Sequence, residues 1–323
     1  MRSRMLERLI FVACAGVFSC AAAAYPDKPI RLVVPSGAGG ITDILARLLA
    51  KDLSASLGQQ VYVDNKPGAG GIVGSQSVAT APPDGYTLLM AFPSHVVNPT
   101  LYPKLPYDSV KSFAPVAMVS KVSPVLVARP DLPASSTREL IDYARKNPGR
   151  VNYATVGTGS LGHLASELLN QMAGTKMTHV PYKGAPQALT ATMAGEVDIY
   201  MVSSPSNVVE PYRAGKLKVL GVSQGERLLL LPEVPPLSDT LPGFEVFGWN
   251  GILAPAGTPA QIVNTLNREI NRILGSAEFL QILRNEGATP APLSPEQFSK
   301  QIAADIGRWG KVLKDANIKP LNY

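Results

Sequence analysis

The sequence predicts an α/β protein of two lobes, each a mixed sheet flanked by helices. Three observations predict it. Short apolar runs alternate with amphipathic helical patterns, glycine-rich loops stand at the strand-to-helix turns, and the same grammar restarts near residue 136. At 323 residues, 46% hydrophobic and 17% charged, the chain can bury two cores without disulfides or metals.

The elements follow in order. Ile30 to Val34 reads as a buried strand, and Ile41, Ile44, Leu45, Leu48, Leu49 and Leu57 mark one face of a helix. Gln60 to Val63 and Tyr86 to Ala91 are further strands. Ser136-Thr137-Arg138-Glu139 is a capping box opening a helix that ends near Asn147-Pro148-Gly149. Val151 to Ala154 is a strand, and Leu161, Leu164, Ala165, Leu168, Leu169 and Met172 mark the next helix face. Strands near Thr178 to Val180, Val197 to Met201 and Leu217 to Val222 follow. Two helices close the chain, opened by Thr258-Pro259-Ala260-Gln261 and by Ser294-Pro295-Glu296-Gln297. Two apolar extended stretches, Pro124 to Val127 and Val246 to Leu253, are expected to be strands crossing between lobes. Lobe one is then residues 25–124 plus 250–323, and lobe two is residues 125–249. A two-strand connection of this type permits hinge closure around a ligand.

Residues 1–24 read as a secretory leader. Arg2, Arg4 and Arg8 precede an apolar run from Leu9 to Phe18 that is too short for a permanent anchor, and Ala22-Ala23-Ala24 gives a cleavage signal before Tyr25. Val17-Phe18-Ser19-Cys20 fits a lipoprotein box badly because of Phe18, so free secretion to the periplasm is expected rather than a lipid anchor at Cys20. Both cysteines, Cys14 and Cys20, lie in the leader, which removes disulfides, thiol catalysis and Cys-based metal sites from the mature chain. No later segment is apolar enough for membrane insertion. The net charge of +6 falls to near +4 without the leader, and no basic stripe suited to nucleic acid is present.

Three glycine loops each follow a strand and precede a helix. They are Ser36-Gly37-Ala38-Gly39-Gly40 with Thr42 and Asp43, Gly68-Ala69-Gly70-Gly71, and Thr155-Val156-Gly157-Thr158-Gly159-Ser160. Glycine lets a ligand approach the backbone, and the unpaired amides of a first helical turn, with the helix dipole, bind an anion without any cationic side chain. Other chemistries fit less well. Gly157-Thr158-Gly159-Ser160-Leu161-Gly162 matches a dinucleotide fingerprint, but the region about 20 residues on, Thr178 to Lys183, has no acid for a ribose. Ser160 and His163 are spaced three apart, yet the window lacks a nucleophile elbow, so Ser160 reads as a helix cap and His163 as a polar first-turn residue. His95, His163 and His179 show no metal spacing. Asp43 reads as a dipole or loop-capping residue rather than a catalytic one.

Taken in order, these motifs resemble the substrate-binding proteins of tripartite tricarboxylate transporters, the Bordetella uptake gene family. The resemblance is carried by Tyr25-Pro26-Asp27-Lys28-Pro29-Ile30, Gly39-Gly40-Ile41-Thr42-Asp43 with Arg47, and Asn65-Lys66-Pro67-Gly68-Ala69-Gly70-Gly71. It continues through Pro83-Asp84-Gly85-Tyr86-Thr87-Leu88, Phe113-Ala114-Pro115-Val116, Gly157-Thr158-Gly159-Ser160 and His179-Val180-Pro181-Tyr182-Lys183-Gly184. It ends with Trp249-Asn250-Gly251 and Pro255-Ala256-Gly257-Thr258-Pro259. It implies a two-lobe periplasmic binding protein of the Venus-flytrap, type II-like kind. Such a receptor holds a small carboxylate through loop amides and passes it to a large and a small membrane subunit. The implied protein is a monomer, uses no cofactor or metal, and is not an enzyme. Pro35-Ser36 departs from the bulky residue that many relatives carry after this proline. Selectivity is expected from Phe92, Ser94, His95, Tyr182, Ser203 and Ser204. The alternatives are a receptor serving a signalling partner and a secreted Ser/His hydrolase.

Overall fold

The computed structural model describes residues 25–321, so the leader lies outside the described residues. The chain runs β1 (Ile30–Val34), α1 (Ile41–Leu57), β2 (Val61–Asn65), α2 (Ile72–Ala79), β3 (Thr87–Ala91), α3 (Ser94–Leu101) and β4 (Phe113–Val122). It continues with β5 (Val125–Ala128), α4 (Thr137–Lys146), β6 (Asn152–Thr155), α5 (Leu161–Ala173), β7 (Thr178–Pro181), α6 (Ala185–Met193), β8 (Ile199–Val202), α7 (Ser206–Arg213) and β9 (Lys218–Val222). Finally come β10 (Gly248–Pro255), α8 (Ala260–Leu274), α9 (Ala277–Asn285), β11 (Ala288–Pro290) and α10 (Pro295–Asp315).

Two sheets form. The first has the order β11-β4-β10-β3-β1-β2 and the second β7-β6-β8-β5-β9. Both are mixed. β1 pairs parallel with β2 and β3, whereas β10 runs antiparallel between β3 and β4. In the second sheet β6 pairs parallel with β7 and β8, and β5 is antiparallel to β8 and β9. The central strands are covered on both faces, which explains their unbroken apolar runs. Ile30, Leu32 and Val34 of β1 pack into the core under α1 and α8, while Val33 faces a second core. That second core continues into the other sheet through Leu126 and Ala128 of β5, so one apolar cluster runs through both lobes.

The two stretches expected to cross between lobes do not do so as strands. β5 lies wholly in the second sheet and β10 wholly in the first. The crossings are the short segments beside them, at Ser123-Pro124 and at 223–247. They lie side by side: Ser223 N donates to Pro124 O at 2.9 Å, Val246 N donates to Ser223 O at 2.8 Å, and Gly248 pairs with Val122. The correction is one of length, since an apolar run that ends one strand and starts another reads as continuous. α10 touches both lobes. It packs on α3 and β4, while Gln171 of α5 donates Nε2–H to Val312 O at 2.9 Å.

Candidate functional site

The glycine loops stand where β1, β2 and β6 end and α1, α2 and α5 begin. In the first, Gly39 has φ +88° and its N–H donates to Asp43 Oδ2 at 3.0 Å. Asp43, only 3% exposed, also accepts from Arg47 Nε (3.0 Å) and Asn65 Nδ2 (2.9 Å). Asn65 Nδ2 lies 3.2 Å from Ser36 O as well, and Arg47 Nη2 donates to Asn65 Oδ1 at 2.9 Å. Burial alone would raise the Asp43 carboxyl, but the bonds from Arg47, Gly39 and Asn65 outweigh it and hold the group below its ordinary range. Asp43 thus braces the turn from inside. Gly37, Ala38 and Gly40 are exposed, and α1 starts at Gly40 with no side-chain cap, so its first-turn amides remain available to an anion. The Thr42 hydroxyl is engaged elsewhere: it donates to Asn250 Oδ1 on β10 at 2.8 Å, and Asn250 Nδ2 donates to Ser120 Oγ at 3.3 Å.

The loop at Gly68–Gly71 is fixed by α3. Asn98 Nδ2 donates to Gly70 O at 3.2 Å, and Ala69 is half-buried against the core that holds α3. Gly71 has φ +91°, and a Cβ there would stand 3.0 Å from the Phe92 ring and 3.4 Å from Ser94 Oγ. Only glycine satisfies both the dihedral and that approach. His95, next along, is buried. Its Nε2 meets Ser109 O at 2.9 Å, its ring packs on Tyr107 and Phe113, and among the described residues its Nδ1 has no partner. Burial pushes its pKa down to about 4, against the Ser109 carbonyl.

The second-lobe loop repeats the first in other residues. Gly159 has φ +80°, and its N–H donates to His163 Nδ1 at 3.1 Å. Gly157 N–H donates to Thr155 Oγ1 (3.1 Å), whose other neighbour is His179 Nε2 at 2.6 Å. Ser160 caps α5 by accepting His163 N–H at 3.4 Å, and donates its own proton to Gly157 O at 2.7 Å. The amides of Gly157, Gly159 and Ser160 are therefore bonded within the loop, whose exposed residues are Val156 and Thr158. His163 stands in the first turn of α5 and is fully buried, and it does not meet Ser160 through its ring, so the pair lacks the contact a Ser/His nucleophile needs.

Close approaches link these loops across the lobes. A Cβ on Gly159 would lie 2.2 Å from Leu101 Cδ1 and 3.5 Å from Val97 Cγ1, both on α3. A Cβ on Gly248 would lie 2.7 Å from Leu161 Cδ2 and 3.1 Å from Pro93 Cγ. Tyr182 N–H donates to Thr155 O of the second-lobe loop at 2.8 Å, and its half-buried side chain packs on the second-lobe core. Ser203 lies between β8 and α7, next to Val202, which with Tyr200 and Asn207 lines a cavity of about 260 Å³. Asn65, Asn98 and Asn250 position the loops and were not singled out from sequence. The signal for Asn250 was present: an amide inside the apolar run Val246 to Leu253 needs a buried partner. Among the described residues no group of three His, Cys, Asp or Glu side chains could hold a metal, and no helix is long and apolar enough to cross a membrane.

Residues 45–318 match the model of the tripartite tricarboxylate transporter family receptor. The chain is 37% identical over 314 residues to the protein BugT of Bordetella pertussis, covering 96% of each. Among solved structures, the R. palustris protein Rpa4515 with adipate superposes at TM-score 0.79 with 36% identity, over 92% of this chain and all of that one. MatC of Rhodopseudomonas palustris with bound malate superposes at 0.74 with 34% identity, over 90% of this chain and 100% of that one.

Proposed function

The chain belongs to the tripartite tricarboxylate transporter receptor family, and from that premise we propose that it captures a small carboxylate between its lobes at the N-terminus of α1. The observation that supports this most is the first glycine turn. Gly37, Ala38 and Gly40 are exposed and the start of α1 has no side-chain cap, while the buried Asp43 braces the turn from inside. Each hydrogen bond to a charged oxygen is worth roughly 1.5–3 kcal/mol. A few suffice for about micromolar binding after the costs of association. Solved relatives hold adipate and malate, so aliphatic dicarboxylates are the first candidates here.

In this reading lobe one (25–124 with 250–323) supplies the carboxylate site, and lobe two (125–249) closes over it by bending at 123–124 and 223–247. Thr158 meets the remainder of the ligand. The protein acts in the periplasm after loss of residues 1–24, as a monomer without catalytic turnover, and delivers its ligand to a large and a small membrane subunit. The test is a thermal-shift screen against carboxylates and their amides. A ligand at ~100 Kd stabilises the folded state by ~2.7 kcal/mol. A shift with one carboxylate that its amide does not give supports the reading; shifts confined to neutral or cationic compounds overturn it.

A further inference from the structure

The two facing turns are built on one plan. In each, a glycine in the left-handed region donates its N–H to the residue four positions on, inside the first turn of the following helix: Gly39 to Asp43 and Gly159 to His163. In the second lobe the acceptor is an imidazole nitrogen, which accepts only while that nitrogen is unprotonated. The bond therefore places the ring proton on Nε2, which is buried and has no partner among the described residues. The groups packed on His163 enforce this state. His179 of β7 lies 4.3 Å away between ring centroids and Tyr153 of β6 stacks at 6.4 Å; the Tyr153 hydroxyl bonds Glu167, one turn along α5. Among the described residues no anion pairs with the imidazole. Burial, then His179, lowers the His163 pKa to about 4, and burial lowers that of His179. His179 in turn meets Thr155 Oγ1, which accepts the Gly157 N–H.

We propose that His163 is a positioning residue of the ligand site: its neutral Nδ1, backed by His179, holds the Gly159 turn against α3 and so sets the second-lobe face that closes on the ligand. This rests on the receptor reading above, but its structural core is testable without any ligand. In the purified protein, NMR should show a coupling across the hydrogen bond from the Gly159 amide to His163 Nδ1, with His163 in the Nε2–H form. A proton on Nδ1 at neutral pH overturns the proposal. His163→Leu should accelerate amide exchange at 157–160 and leave Gly39 unchanged. It should also weaken binding of malate or adipate, measured by calorimetry, about tenfold. His163→Asn, whose Oδ1 stands near the place of Nδ1, should recover most of both, which a purely space-filling role would not predict. Wild-type exchange and affinity in His163→Leu overturn the proposal. If neither diacid binds the wild type, the choice of ligand fails, and exchange and coupling still decide the role of His163.

Discussion

The turn at Gly39 and the turn at Gly159 share a backbone geometry and differ in what braces them. The first leans on an ionised carboxylate whose partner, Arg47, has a half-exposed side chain. The second leans on an uncharged imidazole in the first turn of α5, buried against Tyr153 of β6 and His179 of β7. The first turn opens outward, with nothing within 4 Å of where a Cβ would stand on Gly39, whereas the corresponding atom on Gly159 would collide with Leu101. One turn is thus free to receive a ligand and the other is pressed into the seam between lobes. A buried charge is tolerable where a guanidinium, an amide side chain and a backbone N–H all meet it; where no cation does, a neutral acceptor avoids the cost of burying an ion.

The largest effect that would break this comparison is expected at the seam. Gly159→Val combines a forbidden φ with an overlap on Leu101, and should destabilise by about 3 kcal/mol in urea denaturation. Gly39→Ala faces only the dihedral penalty, about 1–2 kcal/mol. Equal losses from these two would mean that the lobes do not meet as described. Next, Asp43→Ala removes three hydrogen bonds from a buried carboxylate and should cost about 2–3 kcal/mol, together with a sharp loss of ligand affinity in calorimetry.

Acid titration separates the two braces more finely. The folded pKa of His163 is depressed to about 4, so its contribution is complete above the ordinary histidine value of about 6.5 and is lost as pH falls towards 4. The slope is at most about 1.4 kcal/mol per pH unit for each such histidine. His95 shares this window, so His163→Asn should flatten the slope of stability against pH without abolishing it. Asp43, also depressed, contributes above the ordinary carboxylate value of about 3.9 and is lost only below it. Asp43→Ala should therefore leave the slope between pH 6.5 and 4 intact; a change there would show that the two turns are coupled. The smallest effect is the loss of a cap: Ser160→Ala should cost about 1 kcal/mol, as should Ser294→Ala at the distant capping box of α10, and only the first should alter ligand affinity.

Much of this was legible along the chain. Strand β1, the helices opened by Ser136 and Ser294, and the glycine turns follow from patterns a few residues long. The loop-capping role read for Asp43 agrees with the bond it accepts from Gly39, because an acid in a first helical turn faces its own loop. The same spacing was present at His163, which reads only as a polar first-turn residue, with no sign of its burial. A first-turn side chain points to water or inward depending on what covers it, and here β6 and β7 supply that cover. The antiparallel pairing of β10, which was read as a strand, and the edge strand β11 were missed for a related reason: direction and pairing are set by partners far away in sequence, not by a strand's own residues.

The sequence by itself therefore determined two α/β lobes, the glycine turns between strand and helix and the family to which the chain belongs, since each rests on local periodicity or on motifs read in order. The tertiary structure decided where the chain crosses between sheets, that Thr42 spends its hydroxyl on Asn250, and that Gly159 abuts Leu101. Thr42 and Asn250 stand 208 residues apart, and no local pattern encodes a contact that exists only once the start of α1 has packed against β10.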